Sequence, residues 1–470
     1  MNSDEKARPA TVSEATPTKQ AGQYPDDWFW AQHGAWTERM RTRLAQSGPT
    51  TVWFALWDKV ISEDNLQTAY GSVWRNGGAA GADGQTVAQF NEQEQAELAQ
   101  LREELLGQRY RRQPARRVWI PKPGSKEKRP LGIPAVRDRT VEAALKSVLE
   151  PIFEHDFAEH SYGFRPGRGC REAVKRVEEL LGQGRLWCVD LDFKSYFDTI
   201  EHSRLLGLVK QRVVDGSVLA LLEQSLKAGV LEELKGWQPT ERGTPQGAVI
   251  SPMLANLYLT PLDHQMAQQG YEMVRYADDL VVLCRSQEEA EQALTYLRQW
   301  SGEAGLTVHP TKTRIVNAQS EGFDFLGWHF RGGSKWPRQK SLEKLREKLR
   351  PLTRRTNGRS LSEIIAQANR TLRGWHNYFR DCHPTQLREP DGWLRRRLRA
   401  MLRKREKRPG YGLSKTDSHR WPNRWFAAHG FLVWNTAHAL MVSLAEKPLT
   451  GEPDALCGQL GYVVPRFKRP

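Results

Sequence analysis

The chain has 470 residues, 39% of them apolar and 27% charged, with a formal net charge of +15. That length is more than one compact core uses and implies two or three domains. No apolar run approaches the ~20 residues of a membrane-spanning helix, and the first residues lack the basic-then-apolar order of a signal peptide, so no membrane partner and a cytoplasmic location are expected. A positive excess of this size favours a polyanionic partner, and it is local: residues 331–420 hold 26 Lys+Arg against 8 Asp+Glu, a balance of +18 against +15 for the whole chain. Trp336, Trp375, Tyr378, Phe379 and Trp393 are interleaved with these charges, and Trp425 follows closely. Guanidinium groups that grip phosphates, alternating with rings that stack on bases, make that pattern. Cys170, Cys188, Cys284, Cys382 and Cys457 are odd in number and form no Cys-x-x-Cys pair, which leaves them as reduced packing residues.

Residues 1–24 are rich in Thr, Ser, Pro, Glu and Lys without periodicity, the composition of a disordered leader. Apolar residues recur at helical spacing from Val52 to Val73, until the run from Asn76 to Gly84 breaks the pattern as a loop. A long polar helix is expected from Glu92 to Leu106. Arg117-Val118-Trp119-Ile120 reads as a strand, with a turn at Pro121-Lys122-Pro123-Gly124 leading into the basic run Lys126 to Arg129. A second strand is expected over Leu186 to Asp192. The third is a hairpin: Met273 to Tyr276, a tight bend at Ala277-Asp278, and Leu280 to Leu283 returning. Beyond Lys340 the pattern turns helical. Leu342, Leu345 and Leu349 share one face before Pro351, and Ser360 with Glu363 forms a capping box ahead of the stripe Leu361, Ile364, Ile365, Ala368 and Leu372.

Joining nucleotides requires a 3′ hydroxyl to attack an α-phosphate in line, and two divalent cations held by hard oxygen ligands stabilise the charge that grows on the entering and leaving oxygens. Carboxylates at the ends of adjacent strands suit that task. Asp192 ends one expected strand, and Asp278 and Asp279 lie at a hairpin bend. Singly, each piece has a blander explanation. A bend with two Asp is ordinary turn chemistry, and Asp198 with Glu201 spells a capping box, so Asp198 is expected as the N-cap of the next helix. Asp190 lies on the same strand face as Asp192, and periodicity alone does not choose between them.

The order of the pieces is more specific. Tyr276-Ala277-Asp278-Asp279 resembles the catalytic hairpin box of reverse transcriptases. The stretch from Val189 to Asp198 is similar to the strand box that precedes it in that family, although Leu191 and Phe193 stand where smaller or β-branched residues are usual. Arg242 to Pro252 is similar to the family's loop-and-helix box, in which glycines allow close backbone approach and Ser251-Pro252 would cap and start a helix. Ile120 to Pro123 with Arg129 to Pro134, and Ser161 to Arg168, resemble the group II intron-encoded members in particular. Phe323 to Gly327 resembles the turn that holds the primer end, Gly374 to Phe379 the maturase thumb, and Trp421 to Trp425 the DNA-binding region that follows.

This resemblance implies an α+β right-hand polymerase, with fingers and a palm built on an antiparallel catalytic sheet, followed by a helical thumb and a small basic C-terminal domain. The expected divisions are 25–335 for fingers and palm, 336–405 for the thumb or maturase domain, and 406–470 for the DNA-binding region. It implies RNA-directed DNA polymerase activity on dNTPs and binding of a group II intron RNA as splicing maturase. A DNA target and primer, engaged in target-primed retrohoming, are the further partners. Asp192, Phe193, Asp278 and Asp279 would hold two Mg2+ ions, with Mn2+ as a substitute, and Lys312 would protonate the departing pyrophosphate. Lys122, Arg129, Phe197 and Gln246 would meet the dNTP, Phe197 as the gate against a ribose 2′ hydroxyl. Pro245, Gly247, Tyr276, Phe325, Leu326 and Gly327 would meet template and primer. Arg165, Arg168, Trp375, Tyr378, Arg395, Arg396, Arg399, Arg403 and Lys404 would bind RNA or DNA.

Many members end in a Cys/His-rich endonuclease. Only Cys457 and no metal-spaced His/Cys set lies beyond Arg424, so the chain resembles the endonuclease-lacking, group IIC-like branch, and a 3′ end supplied elsewhere, such as at a replication fork, is expected as primer. Two other readings fit the same residues: a free-standing reverse transcriptase in defence or repair, and an RNA-binding maturase whose polymerase site is vestigial.

Overall fold

The computed structural model describes residues 35–48, 50–121, 128–383 and 385–432. In chain order its elements begin with α1 (Glu38–Ala45), α2 (Trp57–Val60), α3 (Glu63–Asn76), α4 (Val87–Glu92), α5 (Glu94–Leu106), β1 (Ala115–Pro121), β2 (Lys128–Ile133), α6 (Val136–Glu154), α7 (Cys170–Gly182), β3 (Trp187–Leu191), α8 (Tyr196–Thr199), α9 (His202–Lys210), α10 (Gly216–Lys227), β4 (Val230–Glu232) and β5 (Gly236–Gln238). They continue with α11 (Ser251–Gln268), β6 (Glu272–Tyr276), β7 (Asp279–Cys284), α12 (Gln287–Glu303), β8 (Arg314–Asn317), β9 (Phe323–Phe325), β10 (Trp328–Arg331), β11 (Ser334–Pro337), α13 (Gln339–Leu352), α14 (Leu361–Phe379), α15 (Thr385–Arg405), α16 (Lys415–Arg420) and α17 (Asn423–Ala428). The chain gathers into two compact units, one of residues up to 168 with 193–266 and 300–307, the other of 169–192, 267–299 and 308 onward.

The first unit is organised around α6, which is buried along most of its length and carries Asp138, Thr140, Glu142 and Ser147 into the interior. Such groups are tolerated only with partners. The Tyr110 hydroxyl donates to Asp138 at 2.6 Å, Arg112 pairs with Glu142, and Glu142 also accepts from the Val249 amide at 2.6 Å. Asn65 on α3 is fully buried; its amide nitrogen donates to the carbonyls of Lys59, Val60 and Ala144 at 3.0–3.2 Å, and its oxygen accepts from Ser147 at 2.6 Å. The sheet order is β2-β1-β4-β5, antiparallel except for a short parallel join of β1 to β4 at Ala115↔Val230 and Arg116↔Leu231. The helix expected from Glu92 to Leu106 is α5, beginning two residues later at Glu94, and it is preceded by the short α4, which Thr86 and Gln89 start with a capping box.

The second unit is built on a four-stranded antiparallel sheet of order β6-β7-β3-β8, whose central positions Val189, Val274, Val281, Val282 and Leu283 are fully buried. A three-stranded antiparallel sheet, β11-β10-β9, follows, and then helices. Leu345 and Leu349 of α13 and Ile364, Ile365, Ala368 and Leu372 of α14 are buried as their spacing predicts, and the Ser360–Glu363 capping box is formed. Pro351 lies in the last turn of α13. The architecture is α+β, with antiparallel sheets and a helical C-terminal region. Among the described residues no helix is long and apolar enough to cross a membrane.

Asp198 departs from its expected role. It lies inside the four-residue α8 rather than at a cap, and Glu201, the residue that precedes α9, makes no side-chain capping bond. Ser251 starts α11 as expected, and its hydroxyl donates to the Pro245 carbonyl at 3.0 Å, which ties down the preceding loop.

Replacing Asn65 by Ala strips partners from three buried carbonyls and one hydroxyl. Urea denaturation should report a loss of about 2–3 kcal/mol. An unchanged midpoint would show that the α3–α6 polar knot contributes nothing.

Candidate active site

The acidic end of the second unit's sheet follows from strand register. In the β6–β7 hairpin the last pair is Tyr276↔Asp279, which leaves Ala277 and Asp278 alone at the bend. Ala277 takes a φ of 58°, unusual for a residue with a Cβ. The Arg275 guanidinium, fully buried, donates to the Ala277 carbonyl at 3.0 Å and so holds the bend from within. On the other side β7 pairs with β3, with Leu191↔Leu280 as the last pair. The next residues outward are Asp192 and Asp279, directly across from each other on one face, and Asp190 lies two residues inward on that face.

Like charges placed so close disfavour ionisation. Asp279 keeps solvent contact, yet the surrounding protein atoms and then the charges of Asp278, Asp190 and Asp192 push its carboxyl up to about 6, with Arg338 acting in the opposite sense. Asp190 is also raised, chiefly by burial, against the pull of Arg314, whose Nε lies 3.2 Å from its carboxylate. The Lys312 ammonium pairs with Asp192. Asp192 is fixed through its backbone too: its carbonyl accepts from the His309 amide at 2.7 Å and its amide donates to Thr313 Oγ1 at 3.4 Å. Among the described residues no three acidic, imidazole or thiol side chains are already gathered around one point suited to a metal ion. The fit to a hard divalent cation is therefore one of donor chemistry and charge: carboxylate oxygens under mutual repulsion, with the Lys312 ammonium and the Arg314 guanidinium partly compensating.

A second strained bend joins β9 to β10. Phe325↔Trp328 is the closing pair, and Leu326 and Gly327 turn the chain with φ of 47° and 86°, the positive values of a type I′ hairpin. Tyr378 donates its hydroxyl to the Leu326 carbonyl at 2.7 Å; Ser341 Oγ and the Arg338 amide donate to the Gly327 carbonyl at 2.9 and 3.0 Å. Trp375 and Tyr378 are half-buried and build a wall of rings with Trp328 and Phe379, at centroid distances of 4.5–6.1 Å. Phe325 is buried, and Tyr276 half-buried.

Several expected nucleic-acid contacts have internal work instead. Arg165 is 7% exposed and fully engaged by the Glu154 carboxylate and the carbonyls of Ala158 and Ser161. Arg168 donates to the Glu159 carbonyl. Arg399, also 7% exposed, donates to the Trp421 carbonyl and Asn423 Oδ1, both at 3.0 Å, while Arg395 pairs with Asp391 and Arg403 with Asp417. Arg396 and Lys404 are exposed.

In the first unit, the loop from Gly243 to Gly247 is stitched to two neighbours. Gly243 and Thr244 donate their amides to the carbonyls of Ile200 and Phe197 at 2.7 and 2.8 Å, and the Gly132 amide of β2 donates to the Gln246 carbonyl at 2.7 Å. A Cβ on Gly247 would lie 2.5 Å from the Gly132 carbonyl oxygen, so this glycine is required by close approach. Phe197, Pro245 and Gln246 are half-buried; Arg129 is exposed, paired across the hairpin with Ile120. Phe193 is 4% exposed and packs its ring 5.7 Å from that of Tyr196, so its side chain offers no ligand. Lys122 lies outside the described residues, as does Cys457. Sequence reasoning missed Arg275 and Arg338. Arg275 was the one with a signal, a guanidinium inside an otherwise apolar hairpin strand.

Paired acids at a hairpin bend, with a third across the adjoining strand of an antiparallel sheet, are donors of the kind that could hold divalent cations for nucleotide transfer. Residues 120–330 match the family described as reverse transcriptase (RNA-dependent DNA polymerase), and residues 342–421 match the group II intron maturase-specific domain. The chain is 34% identical over 286 residues to protein YkfC of Escherichia coli K12, covering 53% of this chain and 74% of that protein. It is 37% identical over 231 residues to the group II intron-encoded protein LtrA of Lactococcus lactis subsp. cremoris, covering 48% of this chain but only 37% of LtrA, so it spans little more than a third of that relative. A telomerase structure from Candida albicans aligns with 68% of this chain and 64% of that one, at a TM-score of 0.40 and 13% identity. The chain belongs to the group II intron-encoded reverse transcriptase and maturase family.

Because Gly327 holds a positive φ and its added Cβ would lie 3.2 Å from Ser341 Oγ, Gly327→Ala should destabilise the chain by about 1–2 kcal/mol in chemical denaturation. A neutral effect would mean the bend relaxes at no cost.

Proposed function

We propose that the chain copies RNA into DNA at the acidic end of β3 and the β6–β7 bend, with Asp192, Asp278 and Asp279 as its metal-holding carboxylates. The observation that carries this reading is the register, which sets Asp192 across from Asp279 and leaves Asp278 at the bend between Tyr276 and Asp279. Hard carboxylate oxygens select Mg2+, with Mn2+ as the close substitute. Two such ions, when bound, offset the charge on the attacking 3′ hydroxyl and on the departing pyrophosphate.

The chain's own groups have separable roles in this reading. Arg275 keeps the bend in its strained form, so the two acids it carries need no reorganisation to present their oxygens. Lys312 holds a proton on Nζ beside Asp192, where it can be delivered to a leaving phosphate oxygen. Phe197, fixed through its carbonyl by the Thr244 amide, presents a ring against a ribose 2′ hydroxyl, and Gln246 with the fingers residues Lys122 and Arg129 receives the dNTP. The Leu326–Gly327 bend and Tyr276 meet the primer end, and Pro245 and Gly247 the template.

The partners proposed are a group II intron RNA, bound as maturase, and a DNA primer and target during retrohoming. The exposed charges of Arg396 and Lys404 on α15, rather than their internally engaged neighbours, are the phosphate contacts on that helix.

Asp278→Ala should abolish primer extension on an RNA template while leaving RNA affinity in a filter-binding assay unchanged. Extension at the wild-type rate would remove Asp278 from the site. Loss of RNA binding together with extension would point to general disruption instead.

A further inference from the structure

The acids on β3 have neighbours on both flanks. On one side β7 sets Asp279 across from Asp192; on the other, the edge strand β8 pairs Arg314 directly with Asp190. Asp190 is not one of the proposed metal-holding carboxylates, but it is half-buried and its charge needs a partner. It accepts from Arg314 Nε at 3.2 Å. Two residues before Arg314, the Lys312 ammonium pairs with Asp192. Each carboxylate of β3 is thus matched by a cation from the short segment 312–314.

The arginine has donors to spare. A guanidinium carries five N–H groups in a planar fork, and the pair with Asp190 uses Nε alone. Among the described residues neither Nη1 nor Nη2 has a hydrogen-bond partner, and the side chain is 50% exposed. Asp190 itself is rigidly placed, because β3 is paired along both of its edges. A fork anchored at one nitrogen by a fixed carboxylate, with two terminal donors open, matches two oxygens of a phosphate. A phosphate at that edge lies beside Lys312, the group proposed to give a proton to the departing pyrophosphate.

We propose that Arg314 is a further phosphate-binding residue of this site, presenting its Nη1 and Nη2 edge to the triphosphate of the incoming dNTP and to the pyrophosphate released from it. Asp190 is the positioning residue of the pair. The inference rests on the polymerase reading for the identity of its ligand, but binding of pyrophosphate can be measured without catalysis.

The test is a calorimetric titration of magnesium pyrophosphate into the full chain bound to an RNA-template, DNA-primer duplex, with the KM for dNTP and the Kd of the duplex measured beside it. Arg314→Gln should weaken pyrophosphate binding about three- to tenfold, less than a buried charge-assisted hydrogen bond because the group is half exposed, and should raise the KM for dNTP by a similar factor. The duplex Kd should stay unchanged. Arg314→Lys should fall in between, since an ammonium keeps the charge without the fork. Arg314→Gln also strips Asp190 of its cation, so a structural effect is separated with the double variant Asp190→Asn/Arg314→Gln, which leaves no charge unpaired. In urea denaturation the double variant should regain the wild-type midpoint and still bind pyrophosphate as weakly as Arg314→Gln. Wild-type pyrophosphate affinity in the double variant, or a wild-type chain that binds no pyrophosphate, overturns the proposal and leaves Arg314 as a counter-ion for Asp190. A weakened duplex with unchanged pyrophosphate affinity overturns it as well, and assigns the fork to a primer-strand phosphate. A wild-type chain that binds pyrophosphate through Arg314 but extends no primer would sink the polymerase reading alone.

Discussion

The constraint on which the site depends is the register of β3 against β7. With Leu191 opposite Leu280, the next position outward on each strand is an aspartate, and both side chains stand on one face. A slip of one residue would send Asp192 to the face now taken by Leu191 and bring an apolar side chain out in its place. The apolar interior of the sheet forbids that exchange, since Cys188, Val189, Val281 and Val282 are fully buried. The core therefore specifies the chemistry: packing fixes register, and register gathers carboxylates that would repel one another if left to themselves.

Both bends at the business end of this unit carry a positive-φ residue, one held by a side chain of its own hairpin and the other by a side chain of α14. Arg275 grips the Ala277 carbonyl, and Tyr378 grips that of Leu326. Strain of this kind persists only where the surroundings over-determine it. What results is a rigid presentation of two acids and of one tight turn, with the reorganisation already done during folding.

The positive charge of the helical region is divided between two uses. Arg395 of α15 pairs with Asp391 one turn earlier on the same helix, while Arg399 and Arg403 are committed to the Trp421 carbonyl and Asn423 and to Asp417, and so tie α15 to the segments that follow it. Arg396 and Lys404 on the same helix face solvent. Helical geometry explains the split, because residues adjacent in sequence lie about 100° apart around the axis and meet different surroundings. A count of basic residues consequently overstates the surface available to phosphate.

Much of this was legible in the sequence because it is local. Two short runs rich in apolar residues, separated by Ala277-Asp278-Asp279, marked the β6–β7 hairpin and its bend; Ser360 with Glu363 marked the start of α14; and the order of boxes from Ile120 to Trp425 carried the family. Local patterns failed where another turn or partner took the residue. Asp198 and Glu201 spell a cap that α8 displaces, and Arg165 is consumed by Glu154. Residue types, strand alternation and turn chemistry were thus determined by the sequence alone, since each depends on neighbours a few positions away. Which acid faces which, and that Tyr378 holds the β9–β10 bend, were decided only in three dimensions, because those pairings join residues far apart in the chain; that Arg275 turns inward and which arginines face solvent were set by how the sheets and helices pack.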